Sequence, residues 1–125
     1  MGLLDGILGN ASKVDVGEAT QEYSRLLGEG ERIRVAYLLI RDVVLFTDRR
    51  LITINKQGLS GRKVAYHTIP YRNIVHFVVE TAGTFDLDAE LRIYLSGRPE
   101  PIQQQFSKGV NVYEVQALLT AYVAR

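Results

Sequence analysis

The chain has no cysteine, almost no net charge and no long apolar run. Without cysteine there is no disulfide framework, thiolate nucleophile, iron–sulfur cluster or cysteine-based zinc site. The longest unbroken apolar stretch, Val35–Ile40, falls far short of the about 20 residues that a membrane-spanning helix needs. The apolar start, Met1–Gly9, is interrupted by Asp5, has no basic residue before it and no small-residue cleavage site after it, so it does not read as a secretory signal. Gly6 stands where a myristoylation signal requires Ser or Thr. Together these absences predict a cytoplasmic location.

What is present is ordinary. A length of 125 residues fits one domain with one core, and 46% apolar with 23% charged residues is average globular usage, which argues against disorder and coiled coil. The net charge of +1 hides three blocks: −4 over residues 1–31, +7 over 32–78 and −2 over 79–125. A basic middle meets phosphate, RNA or an acidic partner, or it coats strand edges against aggregation. Blocks that cancel within one chain also attract each other between copies.

The first 28 residues read as a helical extension, with residues 29–125 as the domain proper. Leu3, Leu4, Ile7 and Leu8 have helical spacing but lie between glycines, so any helix there is short. The second helix is better specified. Asp15 caps the Glu18 N–H, with Glu18 positioned to reach back, and Val16, Ala19, Tyr23, Leu26 and Leu27 form one apolar stripe. Gly28 sits where a left-handed C-cap belongs. From Glu31 the period changes to two, with Arg32, Arg34 and Ala36 alternating with Ile33, Val35 and Tyr37. Strands follow at Asp42–Thr47 and Arg50–Asn55, joined by the hairpin-length pair Asp48-Arg49. Further strands are expected at Lys63–Ile69, Ile74–Thr81, part of Phe85–Leu95, and Ile102–Phe106. Asn111, with Glu114 three residues on, caps a final helix whose apolar face is Val112, Val115, Leu118, Leu119, Tyr122 and Val123. Seven short strands and one amphipathic helix describe a bent antiparallel sheet or open barrel with the helix as cover.

No catalytic constellation emerges. Gly58-Leu59-Ser60-Gly61 is one residue short of a nucleophile elbow and joins two strands, so it reads as a hairpin. His67 and His76 lack the further ligands that zinc requires. Asp86, Asp88 and Glu90 share a face if extended, but they lack the glycine and spacing of a calcium loop. Gly28-Glu29-Gly30 is followed by Ile33 where a dinucleotide loop has its third glycine. The bases of the middle block are dispersed and the pI is about 8.0, which argues against nucleic acid. No metal or cofactor is expected.

Several stretches together carry a resemblance: Arg41-Asp42 through Phe46-Thr47 to Arg50-Leu51-Ile52; Gln57-Gly58 with Gly61-Arg62-Lys63; Ile69-Pro70-Tyr71 with Ile74; and Glu80 through Leu91. In these the chain resembles the small bacterial pleckstrin-homology (PH) domain proteins. The resemblance implies a mainly β (α+β) fold: a PH-like seven-stranded antiparallel open barrel or sandwich, capped by a C-terminal α-helix and preceded by short N-terminal helices. It also implies a ring-forming homo-oligomer with a polar protein-binding surface and no enzymatic activity. Lipid-binding PH domains cluster basic residues at the first hairpin, whereas here that turn is Leu39-Ile40-Arg41-Asp42, with an acid beside its only base.

The sequence therefore predicts a non-enzymatic module whose partners are copies of itself and an unidentified protein. The expected interaction surface is Arg41, Asp42, Arg50, Gln57, Lys63, Tyr71, Glu80, Asp88 and Glu90. Asp42 and Gln57 also suit turn closure, and Tyr71 suits packing under the Pro70 corner. The alternative is a peripheral membrane or phosphoinositide contact through Arg32, Arg34 and Arg41. The apolar N-terminal helix carries no base to favour anionic lipid, so a membrane surface is the less favoured of the two.

Overall fold

The computed structural model of the chain describes residues 13–39, 42–57, 63–81, 89–106 and 110–124. These are mostly strand, arranged in two antiparallel sheets with one C-terminal helix. Two compact units divide between Ile69 and Pro70.

In the first unit β1 (Lys13–Val14), β2 (Ile33–Leu38), β3 (Asp42–Thr47), β4 (Arg50–Gln57) and β5 (Lys63–Pro70) form one sheet in sequence order. Helix α1 (Val16–Glu22) starts where Asp15 Oδ2 accepts the Glu18 N–H at 3.1 Å. One sheet face carries Ile33, Ala36, Val43, Leu45, Ile52 and Ile54, a buried cluster that takes in Ala19 of α1 and is flanked by Tyr23, Leu26 and Leu27. The other face is buried too. There Tyr37 meets Phe46 edge-to-face at 6.1 Å, and register places Val35, Val44 and Leu51 alongside them. Burial on both faces explains why this part of the chain reads as near-continuous apolar runs.

In the second unit a short 3₁₀ turn (Tyr71–Asn73) leads into β6 (Ile74–Thr81), β7 (Ala89–Leu95) and β8 (Ile102–Phe106), paired in that order. Their inner face presents Leu91, Ile93, Ile102 and Phe106, all buried. Helix α2 (Val112–Tyr122) is capped by Asn111, whose side chain accepts the Tyr113 N–H at 3.0 Å. It buries Val115 and Leu119 and stacks Tyr122 on Tyr71, with centroids 4.7 Å apart and ring planes 8° apart.

The seven expected strands are β2 to β8, and the final helix is α2. Four local readings are corrected. The stripe from Val16 to Leu27 is not one helix: α1 ends at Tyr23, and a tighter 3₁₀ turn, Ser24–Leu26, follows. The left-handed glycine is Gly30, with φ +77°, and not Gly28, whose N–H instead donates to Glu31 Oε1 at 2.9 Å. Simple alternation in β2 fails because a bulge lies between Ile33 and Val35, so Ala36 joins Ile33 on the α1 side. The two-residue β1, paired with β2, was not expected. In the stretch from Phe85, β7 begins at Ala89, and residues 82–88 lie outside the described residues, as do the first predicted helix and the Gly58–Gly61 turn.

Candidate functional site

Two polar clusters stand out, one in each unit. The first is internal. Glu31, at the approach to β2, is buried, and its carboxylate collects four donors. Arg50 Nε gives to Oε2 at 2.9 Å and Arg50 Nη2 to Oε1 at 3.0 Å, a bidentate pair. The Thr47 hydroxyl donates to Oε2 at 2.6 Å, and the Gly28 N–H donates to Oε1 at 2.9 Å. Arg50 also donates to Thr68 Oγ1 at 2.7 Å and to the Leu26 carbonyl at 2.6 Å. One guanidinium thus ties β4 to the 3₁₀ turn, the approach to β2, and β5.

Burial is the largest single influence on the Glu31 carboxyl and opposes its ionisation. The hydrogen bonds from Arg50, Thr47 and Gly28 and the Arg50 charge together outweigh it, holding the pKa at about 2 against an ordinary 4.5. The reciprocal bond to Glu31 raises the Arg50 pKa, burial notwithstanding. Thr47 Oγ1 further accepts the Arg49 and Arg50 N–H groups at 3.0 and 2.9 Å, which closes the Asp48-Arg49 hairpin.

The second cluster is on the outer face of the three-stranded sheet. Glu80 and Glu90 are directly opposite each other on β6 and β7, a repulsive arrangement if left alone. Arg92, two residues along the same face, resolves it. Its Nη1 donates to Glu80 Oε1 at 2.6 Å and to Glu90 Oε1 at 2.5 Å. Hydrogen bonds to Glu80, then Glu90, then Tyr94 push the Arg92 pKa up. Tyr94 stacks on His76 with centroids 4.3 Å apart. Gln103 and Gln105 of β8 continue the same exposed face.

The expected surface residues are distributed among these places. Glu80 and Glu90 come together, joined by Arg92, which the sequence reading missed. The alternation Ala89–Leu95 did put Glu90, Arg92 and Tyr94 on one face, but the cross-strand register that brings in Glu80 and His76 is a tertiary fact. Arg50 spends its donors within the first unit. Tyr71 is buried against Tyr122. Asp42 is half-buried and accepts from Asn55 Nδ2 at 2.5 Å across the β3–β4 pair. Lys63 is exposed at the start of β5, and Gln57 ends β4. Arg32 and Arg34 are exposed on the way into and along β2. Arg41 and Asp88 lie outside the described residues, as does Asp86. Among the described residues no three His, Asp or Glu side chains are grouped to hold a metal ion. Nor is any described helix long and apolar enough to cross a membrane.

Comparison with known proteins bears on both units. The family model described as bacterial PH domain matches residues 2–123. The uncharacterized protein YjqA of Bacillus subtilis (strain 168) is 46% identical over 122 residues, covering 97% of this chain and 98% of the relative. YozO of the same organism, also named as uncharacterized, is 38% identical over 98 residues, 78% of this chain and 83% of that one. Among solved structures, a DUF1696-family protein with a pleckstrin-homology domain from Shewanella loihica PV-4 is similar at TM-score 0.82 and 44% identity, over 90% of this chain and 96% of the other. A pleckstrin-homology domain from Shewanella amazonensis SB2B is similar at TM-score 0.76 and 47% identity, over 89% and 100% of the two chains.

Proposed function

Since the chain belongs to the bacterial PH domain family, we propose that it works by binding and catalyses no reaction of its own. In this reading it is a protein-interaction module that assembles with copies of itself, in a closed ring, and presents the assembled surface to a further protein.

The observation that carries the reading is the outer face of β6–β8. Glu80, Arg92 and Glu90 are fixed to one another across the strands, and the His76–Tyr94 stack lies beside them. Side chains already held in place lose little freedom on docking, which lowers the entropic cost of association. Glu80 and Glu90 outnumber Arg92, so the patch is acidic, while Arg32, Arg34 and Lys63 are exposed on the first unit. An acidic patch that meets a different, basic patch on the next copy makes a head-to-tail contact, and contacts of that kind close into rings.

The test is size-exclusion chromatography with light scattering on the full chain and on Glu80→Lys/Glu90→Lys. The full chain should elute as an oligomer and the variant, folded by circular dichroism, as smaller species. Equal masses for the two would remove the face from the interface.

A further inference from the structure

The five-stranded sheet ends on β5, and that strand is unlike its neighbours. Where β3 and β4 are buried on both faces, Lys63, Ala65, Tyr66, His67 and Thr68 are all exposed, Tyr66 at 54%. Among the described strands β5 is the last in the order of its sheet, so one row of its backbone N–H and C=O groups has no described strand beside it, a template for another strand. Its two faces differ in chemistry. Val64 packs against the buried cluster beneath α1, and Thr68 receives the Arg50 guanidinium on the same side. Strand periodicity places Tyr66 between them. Half-buried Tyr23, Leu26 and Val64 pack on one cluster, and the exposed Tyr66 shares the strand face of Val64. The opposite face shows Lys63 and His67, within the block of nine bases against two acids.

We propose that the open edge of β5 takes up an extended segment of another protein as a sixth strand, and that this segment alternates apolar with acidic side chains. Main-chain hydrogen bonds to the edge supply the sequence-independent part of the affinity. Apolar side chains on one side extend the face of Val64 and Tyr66 and remove it from water. Acidic side chains on the other side face Lys63. The inference rests on the interaction-module reading and names the chemistry of its partner, at a different place from the Glu80–Arg92–Glu90 face.

The probe is a short capped peptide alternating valine with glutamate, compared with one alternating valine with lysine. Binding is read by fluorescence anisotropy, and its location by backbone hydrogen exchange on the full chain. The glutamate peptide should bind more tightly and slow exchange within Lys63–Ile69. Lys63→Glu should weaken it about fivefold at low salt, the size of one exposed charge pair, while strengthening the lysine peptide. Equal affinity for the two peptides, or protection confined elsewhere, overturns the proposal. So does protection of β5 that depends on protein concentration and ignores peptide, which would assign the edge to a second copy. Oligomeric mass is measured on the same samples. An oligomer that ignores both peptides sinks the edge proposal and leaves the assembly reading standing, whereas a monomer that binds the glutamate peptide does the reverse.

Discussion

Replacing Glu31 by Gln isolates the most concentrated electrostatic interaction among the described residues. The side chain of Glu31 is 2% exposed and that of its partner Arg50 23%. Glutamine keeps the shape, but its single amide oxygen can replace only one of the two carboxylate oxygens, so it keeps the bond from Gly28 or the bond from Thr47 and not both, and it leaves the guanidinium without its counter-charge. Removing one partner of a buried pair costs about 3–5 kcal/mol. Linkage gives an independent figure, since a carboxyl at about 2 when folded against 4.5 when unfolded contributes about 3 kcal/mol at neutral pH. Because the folded pKa is the lower one, this stability is present above 4.5 and drains away as pH falls toward about 2. Urea unfolding followed by far-ultraviolet circular dichroism should therefore place Glu31→Gln about 3 kcal/mol below the parent at pH 7, with the gap shrinking to about 1 kcal/mol at pH 3. A gap that stays constant across that range, or one under about 1 kcal/mol at pH 7, would refute the assignment of charge to this pair.

Other outcomes follow from the same structure. Thr47→Val removes an acceptor for two hairpin N–H groups and a donor to Glu31, and should cost about 2 kcal/mol, with faster amide exchange at Arg49 and Arg50. Gly30→Ala forces a side chain into a positive-φ position with the Arg49 guanidinium 3.3 Å away, and should cost about 1–2 kcal/mol by thermal unfolding. Gly28→Ala, with no positive φ and no neighbour nearer than 3.6 Å, should cost less than that. Leu119→Ala, at a fully buried position of α2, should cost about 3 kcal/mol by the same measurement.

Most of the fold was legible because its local signals agree with its tertiary demands. The Asp15 and Asn111 caps, the Asp48-Arg49 hairpin and the apolar face of α2 each need only residues close in sequence. What escaped depends on distant partners. The bulge in β2 is invisible until β3 sets the register, and only then does Ala36 face α1. Gly28 looked like a helix cap because the apolar stripe runs past it. Yet the chain tightens at Ser24, and the Leu26 carbonyl meets Arg50, 24 residues away. The same distance problem governs the sites. Arg50 read as a surface base, because nothing local reveals that Glu31 lies beside it across the sheet. Glu80 and Glu90 were both singled out, but the residue that makes them a unit, Arg92, becomes visible only when β6 and β7 are aligned.

Self-association is the claim on which the functional account depends, and native mass spectrometry of the untagged full chain at micromolar concentration addresses it directly. The account predicts one dominant oligomer of fixed copy number that loosens as salt rises. A monomer at every salt and protein concentration would contradict it.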